Sequence, residues 1–265
     1  MSKSIQSIEC DLAELQKQLS EFKVIYLEKY QHYLEVLSKV ARQELIIASY
    51  QISTQIYPQK FLEISINNRQ CLQEQILVYA NGIENRIKKA MDFSYQENTL
   101  HELSEQEKKE KHLDSIIKPV DLLMFSQNLE LKIKQILNHF SNFVNQYFVE
   151  TKFFGNNVNT KIIEKYIESQ AKKSILNGYN NLVSLPLTLD ENDAEEKYQE
   201  SIIIVHLRLI ELEFNNSLLE KERQMIRVFC ERLKKLSQIY HQKEQELLVA
   251  HAQSAWRTLW QDNNS

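Results

Sequence analysis

The chain has 265 residues, 43% of them hydrophobic and 26% charged, with a formal net charge of −4 from 32 basic and 36 acidic side chains. That balance excludes a chain disordered throughout, because there is enough apolar surface to bury. It also lacks the basic excess that phosphate neutralisation asks of a nucleic-acid binder. Three glycines and three prolines, against average usage of roughly 7% and 5%, exclude a loop-rich or phosphate-cradling architecture and leave long helices.

The first helix begins near Ser4 and carries Ile5, Ile8, Leu12, Leu15, Leu19, Phe22 and Tyr26. Steps alternating three and four make a heptad seam on one face. Lys29 interrupts the seam, and Tyr33, Val36 and Val40 resume it. Leu45-Ile46-Ile47-Ala48 is apolar on more than one side, so several neighbours are expected to bury it. Pro58 is expected to end or kink this helix, since its ring blocks a hydrogen bond that a helix interior needs. From Ser4 to Tyr57 the rod would measure about 80 Å.

A short segment, Phe61 to Ile64, leads to Ser65, read as the N-cap of a second helix reaching about Ser94. Its apolar face is Leu72, Ile76, Tyr79, Ile83, Ile87 and Met91, and Gly82 inside it costs about 1 kcal/mol relative to alanine. The stretch 97–118 is the most polar, with capping-box patterns at Thr99/Glu102 and Ser104/Glu107, and reads as a mobile loop with one short helix ended by Pro119. The next helix, Val120–Glu150, has a stripe through Leu122, Phe125, Leu129, Ile133, Ile136, Phe140, Phe143 and Tyr147. Leu123, Leu137, Val144 and Phe148 widen that stripe, which places the helix in the middle of a bundle.

Gly155-Asn156-Asn157 reads as a turn, Thr160–Asn177 as a helix stopped by Gly178, and Leu185-Pro186-Leu187 as a connection. From Leu187 to Ser265 there are 79 residues without glycine or proline. A last helix is expected to start around Thr188–Asp190, with Asp190, Glu191, Asp193, Glu195 and Glu196 at the positive end of its dipole. Its seam would pass through Ile202, Val205, Leu209, Leu212, Leu219, Ile226, Leu233, Tyr240 and Leu247, with Asn216 and Arg223 interrupting the heptads. Continuous to Trp260, it would span on the order of 105 Å.

No motif selects a catalytic residue, a cofactor or a metal. None of the seven histidines follows a glutamate by three positions, and there is no His-Glu-x-x-His, Cys-x-x-Cys or phosphate loop. Cys10, Cys71 and Cys230 are far apart and odd in number, which reads as free thiols in a reducing cytoplasm. His139 and His206 sit in apolar helical stretches and are expected to be structural. The start, MSKSIQSIECDLAEL, has no secretory h-region, and the longest apolar runs fall far short of a membrane span.

Two features are candidates for binding. Trp256 and Trp260, the only tryptophans, lie one turn apart beside Leu259. This end could dock on the protein's own bundle, on a partner, or on a membrane surface. Arg227, Arg232, Lys234 and Lys235 form a basic stretch that would face an anion or be a solvated face with i,i+4 pairs. Lys161, Lys165, Lys172 and Lys173 invite the same two readings.

Tyr57-Pro58-Gln59-Lys60-Phe61-Leu62-Glu63-Ile64-Ser65-Ile66, followed by Arg69-Gln70 and Leu72-Gln73, resembles a stretch in helical cyanobacterial proteins of unknown function. The resemblance covers residues 30–80, carries no catalytic residue and implies a bacterial cytoplasmic setting. In helix length the chain is also similar to membrane-remodelling proteins of the phage-shock type.

The expected fold is therefore all-α, an elongated helical bundle with long, coiled-coil-like first and last helices. Its stretches are 1–95, a polar connector 96–119, bundle helices 120–187 and the last helix 188–265, in one elongated domain. The expected function is a non-enzymatic cytoplasmic scaffold or adaptor working through protein contacts or self-association. A peripheral membrane protein using the tryptophan tail and basic stretches is the alternative. Nucleic acid is disfavoured as a partner, and no small-molecule substrate or cofactor is indicated.

Overall fold

A computed structural model describes residues 4–91, 118–155, 158–169, 174–175, 179–186 and 201–262, with side chains described up to Thr258. The fold is a helical bundle. In chain order the elements are α1 (Ile5–Gln51), a π-turn (Ile52–Ile56), α2 (Pro58–Glu63), α3 (Ile66–Lys88), α4 (Pro119–Glu150) and α5 (Thr160–Glu168). Strands β1 (Ser174–Ile175), β2 (Leu182–Pro186) and β3 (Ser201–Val205) follow, then α6 (Leu209–Asn215) and α7 (Ser217–Asp262). The chain divides into two compact units.

In the first unit, built from 4–32, 118–129 and 222–262 among the described residues, α7 runs antiparallel to α1. Asp11 pairs with Lys243 at 3.3 Å, and Gln16 donates to the Tyr240 hydroxyl at 3.2 Å. Tyr26 Oη lies 3.1 Å from Cys230 Sγ, and His32 Nδ1 lies 3.2 Å from Glu222. The partners thus advance along α1 as they retreat along α7. The expected seam supplies the core, with Ile8, Leu19 and Tyr26 of α1 buried alongside Ile226, Leu233 and Tyr240 of α7. Phe22, Tyr26 and Phe229 form an aromatic cluster, with ring centroids 5.5 to 6.1 Å apart. Burial, with Tyr30 beside it, pushes the Tyr26 hydroxyl pKa far above the ordinary tyrosine range, so it stays neutral.

The second unit takes in 33–91 and 130–221, less the residues outside the description. Leu37, Ala41, Leu45 and Ala48 of α1, Leu72, Ala80 and Ile83 of α3, and Ile133, Leu137, Val144 and Phe148 of α4 form its core. Leu45 and Ala48 are indeed buried, as their apolar run implied, and the wide stripe of α4 is covered. Gly82 has a packing reason: a Cβ there would lie 2.8 Å from Phe140 Cε1, so the glycine lets α3 approach α4. Ser65 is the N-cap of α3, its hydroxyl accepting from Asn68 N at 3.2 Å. Gly155, with φ +93°, closes the turn after α4.

Some sequence expectations hold here and several are corrected. Pro58 does end the first helical path, as expected: Tyr57, with φ −121° and ψ 51°, is not helical, and a separate helix starts at the proline. Having no N–H for the Thr54 carbonyl, it follows a π-turn closed by Tyr57 N to Ile52 O at 2.9 Å, and it opens α2. Phe61–Ile64 is therefore mostly helical. The helix from Thr160 ends at Glu168 rather than Asn177, and Leu185-Pro186 belongs to a strand. The connector 97–117, Gly178, Lys172 and Lys173, and the acidic start 190–196 lie outside the described residues.

The largest correction concerns the last helix, which does not begin at Thr188–Asp190. Ile202 to Val205 form β3, and α7 begins at Ser217, giving 46 residues and about 70 Å. Four consecutive β-branched residues suit a strand, and β3 pairs antiparallel with β2, Leu182 opposite Val205 and Pro186 opposite Ser201. Asn216, read as a break in a heptad, caps α7 by accepting from Leu219 N at 3.0 Å.

The sheet order β1-β2-β3 leaves one edge of β3 open, and side chains close it. The Asn145 amide, fully buried on α4, donates to Val205 O at 2.7 Å and accepts from Val205 N at 2.9 Å. It bonds the strand as a neighbouring peptide would. Tyr57 Oη accepts from Ile203 N at 3.0 Å, and Ser141 Oγ accepts from Leu207 N at 3.0 Å.

Candidate interaction surfaces

The tryptophan-bearing end of α7 is helical, and its position in the seam decides what it presents. The buried positions Leu219, Ile226, Leu233 and Tyr240 recur every seven residues, with Leu247 next and Ser254 after it. Past Tyr240 no residue up to Thr258 is buried. A second stripe starts at Val249 and continues through Ala252 to Trp256. Two positions of offset from Leu247 rotate a helix by about 200°, so this stripe looks away from the seam that packs on α1. Val249 is 54% exposed and Trp256 65%. Together with Gln253 and Arg257 they border a shallow depression. Trp260 and Leu259 continue the helix, and their side chains lie outside the described ones.

Arg227, Arg232, Lys234 and Lys235 are all exposed on α7. They do not converge. Glu231 stands four residues after Arg227 and four before Lys235, inside the patch, so the face alternates in sign. Lys161 and Lys165 are exposed on α5.

The second unit contains a groove that the sequence did not disclose. It is about 470 Å³ and lies where α1 passes into the π-turn. Ile46, Tyr50, Phe61, Leu72, Ile76 and Leu77 make it apolar. Ser49, Ser53 and Thr54 line it as well, each donating to the carbonyl four residues earlier: Leu45 at 2.7 Å, Ser49 at 2.9 Å and Tyr50 at 2.8 Å. Tyr50, Leu62, Ile66, Leu77 and Val78 are exposed around this part of the unit, between 44% and 70%. α2 is held to α3 by Arg69, which donates to Phe61 O at 2.9 Å and Leu62 O at 2.6 Å and stacks over the Phe61 ring. The one sequence signal was the Ser49–Ser53–Thr54 spacing before Pro58, which marks a helix that bonds its own carbonyls.

Polar clusters elsewhere in this unit are small. His139 leans on Phe143, with ring centroids 4.1 Å apart, beside a cleft of about 200 Å³ lined by Asn142, Gln146, Thr160 and Glu164. His206 is buried, with Nε2 3.4 Å from Asn138 Oδ1. Tyr33 donates to the buried Glu213 carboxylate at 2.6 Å. Asn181, with φ +61°, donates to Glu44 at 2.8 Å while its carbonyl accepts from His206 N at 2.9 Å. Burial raises the Glu44 pKa, and the Asn181 hydrogen bond partly opposes this.

Among the described residues no group of three or more histidine, cysteine, aspartate or glutamate side chains could hold a metal ion. No described helix is long and apolar enough to cross a membrane. No protein-family model, curated protein or solved structure matches the chain.

Proposed function

We propose that the protein is a non-enzymatic helical scaffold or adaptor that acts through protein–protein contacts. The observation that carries this reading is the far end of α7, a helix that continues beyond Tyr240, the last residue buried among those described up to Thr258, and turns a fresh apolar stripe outward. A helix kept this long without core to cover is suited to reach another surface, and an exposed tryptophan is the residue type most enriched at binding hot spots. The basic positions Arg227, Arg232, Lys234 and Lys235 play a solubilising part, interleaved with Glu231.

Capture experiments with the full chain beside a chain ending at Leu248 test the proposal. Partners held by the full chain and lost on truncation support it. An identical set of captured proteins would remove the tail from the mechanism. The adjacent exposed Trp256 and Arg257 also favour a second reading, attachment to an anionic membrane surface. Flotation with anionic vesicles at low salt decides it, and a chain that stays at the bottom of the gradient eliminates the membrane.

A further inference from the structure

We propose that the groove beside the π-turn is a binding site for a small uncharged amphiphile, a molecule with one apolar ring or chain and a neutral hydrogen-bonding head. The inference goes beyond the scaffold reading and does not rest on it. Charge selects the occupant first. None of the ten residues that line the groove is charged, although charged residues make up 26% of the chain. Charges close by in sequence are committed elsewhere. Lys60 pairs with Glu63 at 3.1 Å, Arg42 pairs with Glu84 at 3.4 Å, and Arg69 donates to the carbonyls of Phe61 and Leu62. Glu74 follows Gln73 on α3 and is exposed, outside the lining. A charged ligand would give up water here and meet no counter-charge in the wall. The wall complements a neutral one.

Burial within the lining fixes the orientation. Leu72 and Ile76, 2% and 8% exposed, form the floor with the buried Ser49 and Ser53. Both hydroxyls donate to their own helix, as does that of Thr54, so an apolar cover strands none of their protons. Tyr50 and Gln73 are exposed at the edge of the groove, and their hydroxyl and amide can each donate and accept. The apolar body of the ligand therefore lies on the floor, with its head toward Tyr50 and Gln73.

Size and rigidity agree. A volume of about 470 Å³ falls in the roughly 300–1,000 Å³ range of small-molecule pockets, which are mostly apolar and largely formed before binding. This wall is already held. Arg69 fixes Phe61 through the two carbonyls and through its own stacking over the ring. The π-turn Ile52–Ile56 is an independent pointer, since single π-turns within helical paths recur at functional sites.

Fluorescence of N-phenylnaphthylamine, an uncharged ring compound that brightens on leaving water, tests the proposal with the full chain. The dye should bind saturably, at one site per chain, and decanol should displace it. Decanoate and decyltrimethylammonium should each compete roughly 10-fold less well. Leu77→Glu, which puts a charge on the wall, should weaken dye binding roughly 10-fold, whereas Leu77→Met should not. Leu77 is 44% exposed, so both variants are compatible with folding, which far-ultraviolet circular dichroism verifies. Trp256→Ala should leave dye binding as it is. Dye that does not saturate, or that binds Leu77→Glu as tightly as wild type, overturns the proposal. So does decanoate that competes as well as decanol. Loss of dye binding in Trp256→Ala would overturn it by moving the site to α7. A chain that takes up no dye, yet loses captured proteins on Leu77→Glu, would overturn it and give this face to a protein partner, leaving the scaffold reading standing.

Discussion

Gly82 shows how one side chain, or the lack of one, decides a helix crossing. By propensity alone, Gly82→Ala should stabilise α3 by about 1 kcal/mol. The added Cβ would meet Phe140 Cε1 at 2.8 Å, and a packed ring has little room to yield. Overpacking of this kind costs about 1–3 kcal/mol, so Gly82→Ala is expected to lower the urea midpoint. Glu44 is the opposite case, a residue whose charge the fold disfavours. Its folded-state pKa is raised by burial above the ordinary carboxylate value. The folded protein therefore binds this proton more tightly than the unfolded chain, and the associated stability is present at acidic pH and lost as pH rises through the folded pKa. Asn181 Oδ1 is buried without a hydrogen-bond partner. A neutral amide at position 44 could accept from Asn181 Nδ2 and donate to that oxygen. Glu44→Gln is thus expected to raise stability at neutral pH and flatten its pH dependence in thermal melts followed from pH 4 to 8.

At the scale of elements, the sheet depends on a helix for its edge. Asn145 of α4 serves both the N–H and the carbonyl of Val205 from 60 residues away in sequence. Asn145→Ala leaves both groups buried and unbonded. Since each such loss costs about 1–3 kcal/mol, destabilisation of about 2–5 kcal/mol is expected in chemical denaturation. Asn145→Asp should do comparable harm above its pKa, because a carboxylate cannot donate to the Val205 carbonyl. Helices were legible from the sequence wherever a stripe ran for several turns, as in α1, α3 and α4. Starts were legible where chemistry marked them, as at Ser65, whereas Pro119, read as the end of the preceding segment, is the first residue of α4. The strand at Ile202–Val205 was not legible, because a short apolar run fits a buried strand and one side of a helix equally well. The π-turn groove was likewise hidden, since it arises from the meeting of α1, α2 and α3 rather than from any one of them.

At the scale of the whole molecule, each compact unit is assembled from stretches far apart in the chain. Among the residues described up to Thr258, Tyr240 is the last one of α7 that is buried, and the contacts of Lys243 with Asp11 and of Glu244 with Lys118 lie before Leu248. A chain ending at Leu248 should therefore unfold within about 2 °C of the full chain, because losing exposed residues changes little buried surface. A larger drop in calorimetry would mean that the end of α7 is part of the core, against the scaffold proposal. The sequence by itself determined that this is a helical bundle with long first and last helices, because scarce glycine and proline and a heptad seam act locally. Only the tertiary structure decided where the last helix begins and which way its end faces. Those outcomes depend on non-local partners: β2 and Asn145 for β3, and α1 for the seam of α7. A local pattern carries no record of the partner that completes it.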